Sequence, residues 1–273
     1  MHEHSTQTTP AGDGGLFRTL RIGVALCFIG HGAFGVITKQ AWLPYFAVGG
    51  IPAPVAWDLM PWIGAMDIAI GVLALLWPCR ALFIWASVWT VWTALCRPLA
   101  GEGWPEFFER AGNYGLPIAL LLIVGLRAPW FARLSELWPV ADHAQRRLAW
   151  ALRITTATLL AGHGACGAIL QKAALAHHYA IVGPDHAHAL MADVGYFEFA
   201  LAAAVLAAPH PVLLIAIGAW KVACESLFLV SGAPNPIFEI VERGGSYVAP
   251  LALALLLSRR SGARTLPTAI PAT

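Results

Sequence analysis

Residues 20–33 of this chain return in closely similar form 132 positions later. Leu20-Arg21-Ile22 through Gly30-His31-Gly32-Ala33 returns as Leu152-Arg153-Ile154 through Gly162-His163-Gly164-Ala165. Gly35 returns as Gly167 and Ile37 as Ile169. Further on, Asp67 aligns with Glu198 and Trp89 with Trp220. Glu109-Arg110-Ala111-Gly112-Asn113-Tyr114 aligns with Glu242-Arg243-Gly244-Gly245-Ser246-Tyr247, and Pro117 with Pro250, with only one-residue shifts. Self-similarity over this length is the mark of a duplicated structural unit.

Each unit carries four apolar runs. Gly and Pro punctuation places spans near 16–38, 57–77, 80–97, 111–127, 147–170, 188–208, 211–231 and 245–258. The tightest breaks are Trp77-Pro78-Cys79-Arg80 and Pro209-His210-Pro211. Only 12% of residues are charged and 58% are hydrophobic. A soluble domain carries about 25% charged residues, so the chain has too little charge to coat a globular surface in water. Eight spans of about 20 residues match the apolar share. The expected fold is an all-α polytopic membrane protein with eight transmembrane helices. Four is an even number, so both units keep one orientation, and the two four-helix repeats are parallel, related by an axis along the membrane normal. The expected division is a disordered cytoplasmic tail at 1–15, a first unit with its connecting loop at 16–142, a second unit at 143–260 and a cytoplasmic tail at 261–273.

Charge fixes the expected orientation. Arg18, Arg21, Arg80, Arg127, Arg133, Arg146, Arg147, Arg153, Arg259, Arg260 and Arg264 fall on one side, 11 of the 17 basic residues. Positive charge collects on the cytoplasmic face. Both termini are therefore expected in the cytoplasm of a bacterial inner membrane, with the longer connections facing outward. Those loops hold most of the acids: Asp58, Glu102, Glu106, Glu109, Asp185, Glu239 and Glu242. The first apolar run is too long for a signal peptide and lacks a small-residue exit. A formal net charge of +2 with scattered basic residues argues against a nucleic-acid partner. The five cysteines show no Cys-x-x-Cys spacing, and buried thiols are the reading for those in apolar runs.

The residues also resemble a family. A first helix running from Arg21 to Gly-His31-Gly, an acid, Asp67, followed by Gly71-x-Leu-x-Leu-Leu, and Phe107-x-Glu109-Arg110-x-Gly112-Asn113-Tyr114-x-x-Pro117 look like the DoxX-like four-helix membrane family. The resemblance spans nearly all of residues 16–258, with Ser246 standing where Asn113 does in the first half. It implies a four-helix unit and an occasional link to quinone or sulfur redox chemistry, including thiosulfate:quinone oxidoreductase subunits. Two fused units depart from the usual single one.

A charge at the bilayer centre costs about 2.5–3.5 kcal/mol on insertion scales, so intramembrane polar groups need a reason. His31, Asp67, His163, Glu198, Lys221 and Glu225 are such groups. In the redox reading, His31 and His163 are ligands or proton carriers, oriented by Asp67 and Glu198, and a quinone, haem or transition metal is the cofactor. The other reading is a His–carboxylate hydrogen bond that ties two helices together in each unit. Thr90 and Ala94 become Lys221 and Glu225 in the second unit, four residues apart on one helix face. With Glu198 these form either a specialised charged site or a neutral structural ion pair. Counting from Pro209-His210-Pro211 puts Glu198 and Lys221 at matching depths on neighbouring antiparallel helices, which predicts that they pair. Arg97, Glu109, Arg110, Tyr114, Glu242, Arg243 and Tyr247 are expected at the outer rim as cofactor-binding groups. His177, His178, His186 and His188 on one outer loop could bind a metal or be merely solvated. The stripe Trp85, Trp89, Trp92 reads as packing or lipid-facing surface.

No Walker A, nucleophile-elbow, zincin or dinucleotide motif occurs in the chain. The leading functional expectation is a redox-linked membrane subunit that handles a quinone, a small sulfur species or a metal at the outward side, with the lipid bilayer and other membrane or periplasmic redox subunits as partners. The alternative is a non-enzymatic carrier of a small solute, or an assembly factor.

Overall fold

The computed structural model describes residues 14–125, 128–134 and 142–264, and these contain helices and no strands. The helices are α1 (Gly14–Val36), α2 (Leu43–Val48), α3 (Ala53–Leu76), α4 (Arg80–Leu99), α5 (Trp104–Glu109), α6 (Ala111–Val124), α7 (Asp142–Ala168), α8 (Ala173–Tyr179), α9 (Ala187–Ala207), α10 (Pro211–Ser226), α11 (Pro236–Glu242) and α12 (Gly244–Arg264). Among the described residues, six stretches are long and apolar enough to cross a membrane: α1, α3, α4, α9, α10 extended to Leu229, and the run from α11 through most of α12.

The other two expected spans differ for separate reasons. α6 is apolar but has only 14 residues. α7 has 27 residues, but Arg146, Arg147, Arg153 and His163 lower its apolarity. Both lie at the centre. α1, α6, α7 and α12 pack on one another, while α3 packs on α1, α4 on α6, α9 on α7 and α10 on α12. α7, surrounded by other helices, is not selected for an apolar surface, which is why its hydropathy is low.

Of the expected tails, residues 1–13 and 265–273 lie outside the described residues, as does Arg127. Gly14 and Gly15 already belong to α1, and α12 runs to residue 264, past the expected boundary at 258.

The outer helices show what surrounds the bundle. Trp62, Val88, Val212 and Ile215 are exposed on α3, α4 and α10. Apolar surface on that scale requires an apolar solvent. The interior is Leu- and Phe-rich, with Phe17, Leu20, Phe83, Leu116, Leu148, Leu152 and Leu214 fully or almost fully buried. Against lipid, close packing matters more than burial from water, and small residues allow it. A Cβ on Gly32 would lie 2.5 Å from the Gly64 carbonyl oxygen, and one on Gly164 would lie 2.7 Å from that of Gly195. These contacts bring α1 against α3 and α7 against α9.

The two ends of the bundle differ. At one end, the last carbonyls of α3 and α9 lack helical partners. Arg21 Nε donates to the Ala74 carbonyl at 2.8 Å, and its guanidinium also reaches Leu75. Arg153 Nε does the same to Val205 at 2.9 Å, and its guanidinium also reaches Leu206. At the other end sit the short helices α2, α5, α8 and α11. Here α5 breaks from α6 at Arg110, and α11 breaks from α12 at Arg243. Tyr114 donates to the Phe107 carbonyl at 3.4 Å and Tyr247 to the Ile240 carbonyl at 2.9 Å, bracing each break.

Candidate functional site

The close glycine contacts decide which side chains meet. With α1 against α3, His31 Nδ1 lies 2.7 Å from Asp67 Oδ2. With α7 against α9, His163 Nδ1 lies 2.5 Å from Glu198 Oε2. Both carboxylates are completely buried. The two pairs are equivalent in sequence and in geometry.

The second pair continues into a chain of opposite charges. Trp220 Nε1 donates to Glu198 Oε1 at 3.1 Å, and Lys221 Nζ donates to the same oxygen at 3.3 Å. Lys221 Nζ also lies 3.5 Å from Glu225 Oε1. Arg243 Nε lies 3.0 Å from Glu225 Oε2, an ion pair by distance whose angle does not make a hydrogen bond. Arg243 Nη1 donates to Glu239 Oε2 at 2.6 Å, and Lys39 Nζ to Glu239 Oε1 at 2.7 Å. Charge therefore alternates without a break from His163 inside the bundle to Lys39 at its end.

The units exchange parts at this end. A Cβ on Gly30 would fall on the Glu242 backbone nitrogen, and one on Gly162 would fall on that of Glu109. So α11 of the second half packs on α1, and α5 of the first half packs on α7. The ion pairs follow. Arg110 Nη1 donates to Glu242 Oε1 at 2.7 Å. Lys172 pairs with Glu106 as Lys39 pairs with Glu239. Arg97 Nη1 holds Tyr45 at 3.0 Å, Glu102 at 3.2 Å and Glu106 at 3.5 Å. Arg243 is occupied by Glu225 and Glu239, which leaves Glu109 facing the interior space. Glu109 lines the larger cavity together with Arg110, Arg243 and His163.

Two cavities lie among these groups. The larger, about 660 Å³, is lined by Lys39, Arg97, Arg110, Lys172, Arg243, Glu102, Glu106, Glu109, Glu225 and Glu239, with His163, Cys166 and Cys224. Those named side chains include five cationic and five carboxylate groups. The smaller, about 240 Å³, is lined by His31, Trp42, Tyr45, Phe46, Trp89, Thr90, Trp92, Ala94 and Glu242, among others. Trp42, Tyr45, Arg97 and Arg110 belong to both walls. The stripe read as packing is therefore divided: Trp85 is half-exposed and stacks on Trp89, while Trp89 and Trp92 line the smaller cavity.

The residues singled out by sequence fall into three sets. Glu198, Lys221, Glu225 and His163 form one contiguous cluster. His31 and Asp67 form a separate pair, with Trp42 stacked on the His31 ring at 4.4 Å between centroids. Tyr114 and Tyr247 line neither cavity and serve the helix breaks instead. The loop histidines do not converge. His177 Nε2 lies 3.3 Å from the Ser231 carbonyl, and His178 packs edge-on against Phe228, both in the larger cavity's wall. Burial and the nearby Arg243 push the His178 pKa down. His186 and His188 are exposed and line neither cavity. His31 lines the smaller cavity and His163 the larger.

Sequence reasoning missed one grouping. Glu106, Glu109 and Cys166 bring three donor atoms within 4.8 Å of one another, the one such cluster among the described residues. Cys166 Sγ lies 3.7 Å from Glu106 Oε1. The Glu106/Glu109 spacing was visible, but the thiol comes from the other half of the chain. Glu106 is already matched by Lys172 and Arg97, so the cluster is part of an ionic network and not a bare acidic pocket. Comparison of the chain with protein-family models, with curated proteins and with solved structures gives no match.

Proposed function

We propose that this is a multi-pass membrane protein of two DoxX-like four-helix units, 16–142 and 143–260, whose larger cavity binds a small charged or zwitterionic solute. The observation that carries this is the cavity wall, with fixed charges of both signs contributed by both halves of the chain. Ionic groups held open around a space of that size are costly unless something polar fills it.

The eight-span arrangement belongs to the same reading. α5 and α6 together cover 104–124, and at about 1.5 Å per residue they reach roughly 30 Å, the thickness of the hydrocarbon core. The length of α7 is also sufficient. Equivalent contacts of Arg21 and Arg153, and of His31 and His163, favour two parallel units. The basic bias favours a bacterial inner membrane with both chain ends cytoplasmic. A cytoplasm-dependent reporter fused after residue 260 will be active, and the same reporter inserted at Glu102 will be silent. Activity at Glu102 refutes the eight-span map.

A redox-linked form of the reading turns on Cys166, a thiol in the cavity wall 3.7 Å from Glu106 Oε1 and close to Glu109. In that form the solute is a small anionic sulfur species or a quinone headgroup, exchanged with other membrane or periplasmic subunits. Thermal unfolding of the purified protein with thiosulfate, a short-chain quinone and a zwitterionic amino acid separates the possibilities. Stabilisation by at least one, lost in Glu109→Gln, is the expected result. Equal melting temperatures throughout would remove the solute-binding reading.

A further inference from the structure

The two halves use the same acid differently, and the difference points to a second occupant. In the second half, Glu198 gives one carboxylate oxygen to His163 and the other to Trp220 and Lys221. In the first half, Asp67 gives one oxygen to His31, and the other, Oδ1, is buried with no hydrogen-bond partner among the described residues. The indole nitrogen of Trp89, the counterpart of Trp220, is also buried and unpartnered. Lys221 is replaced there by Thr90, whose hydroxyl turns back to the Ala86 carbonyl at 2.6 Å. Glu225 is replaced by Ala94. His31, Trp89, Thr90 and Ala94 all line the smaller cavity. The space that Lys221 and Glu225 fill in one half is thus open in the other, walled by His31, whose partner Asp67 lies just behind the wall and keeps the charge but lacks the lysine.

We propose that the smaller cavity is a binding site for an organic ammonium ion, whose charged end takes the position that the Lys221 ammonium holds in the second half. Asp67 Oδ1 accepts one ammonium N–H. Glu242 Oε2, in the same cavity's wall and also buried without a partner, accepts another, as Glu225 does for Lys221. Of the two nearby guanidinium groups, Arg97 is held by Glu102 and Glu106, and Arg110 takes only Oε1 of Glu242, which leaves Oε2 to the ligand. The remaining walls suit the body of such an ion. Trp42, Tyr45, Phe46 and Trp92 present aromatic surface, which attracts cations through the ring quadrupole and packs against methylene groups. At the equivalent positions, in the register that aligns Lys39 with Lys172, the second half has Leu175, His178 and Tyr179 in place of Trp42, Tyr45 and Phe46. The Trp42 indole, which stacks on His31, is present only where the lysine is missing. A volume of about 240 Å³ admits an ion of several heavy atoms. This site does not depend on what fills the larger cavity.

The test uses the native protein in detergent with n-butylammonium, 1-butanol and butyrate at matched ionic strength. Butylammonium will raise the melting temperature and change tryptophan fluorescence saturably, with one ion bound per chain. Butanol and butyrate will do neither. Thr90→Lys combined with Ala94→Glu, which copies the second half into the first, will abolish the response. Asp67→Asn, an isosteric change, will abolish it too, so the result does not hang on one variant folding. Lys221→Ala will bind two butylammonium ions instead of one and recover melting temperature as the ion is added. No saturable response in the native protein, an equal response to butanol, or a response that survives either first-half variant overturns the proposal.

Discussion

Lys221→Met will lower the folded yield and melting temperature more than Lys221→Met combined with Glu198→Gln. Lys221 is 1% exposed and joins two buried acids, Glu198 at 3.3 Å and Glu225 at 3.5 Å. Removing one partner of a buried pair costs about 3–5 kcal/mol, because the other charge is left without compensation. His163 and Arg243 still contact the two acids, which places the expected loss toward the lower end of that range. Neutralising Glu198 as well removes the stranded charge and returns part of the stability. The measurement is detergent-resistant folded yield with thermal unfolding. A double variant less stable than the single would show that the ammonium and carboxylate do not stabilise each other. Unchanged stability in the single variant would show that the cluster does not brace the fold.

Gly162→Val will be more damaging than any substitution at the surface. A Cβ there falls on the Glu109 backbone nitrogen, so α5 must move bodily away from α7. Overpacking of a tight interior typically costs about 1–3 kcal/mol, and more where backbone must shift. Moving α5 also withdraws Glu106, Glu109 and Arg110 from the larger cavity. Gly30→Val makes the equivalent lesion at α11 and Glu242. Gly183→Ala is the control, since a Cβ at that position meets nothing within 4 Å. The expected order of melting temperatures is native and Gly183→Ala together, then the two valine variants well below. If Gly162→Val matches the control, the close contact between α5 and α7 is not part of the folded protein.

Much of this was readable from local pattern. Apolar runs bounded by Gly and Pro located the long helices to within a few residues. The duplicated Gly-His-Gly and the acids at Asp67 and Glu198 flagged the buried pairs, because intramembrane charge is costly enough to stand out. The pairing of Lys221 with Glu198 followed from counting outward from a tight turn. What pattern could not show was partnership at long range. Nothing near Cys166 in the sequence announces Glu106, and nothing near His163 announces Glu109, since both arrive by the crossing of α5 onto α7. The short helices α2, α5, α8 and α11 were also hidden, because each has only six or seven residues and lies inside a connection between spans. Tyr114 and Tyr247 look like rim ligands until the helix breaks they brace are seen.

The crossed helices also order events during synthesis. Lys39 leaves the ribosome 200 residues before its partner Glu239. At about 5–20 residues per second, that is a wait of roughly 10–40 s. Arg110 waits 132 residues for Glu242. Through that interval the first half sits in the bilayer with Lys39 and Arg110 unmatched and the groove along Gly30 uncovered. It is a half-built surface whose intended cover has not yet been translated. The second unit therefore completes the first as it emerges, and a chain cut between them leaves each fragment without the lid that the other supplies.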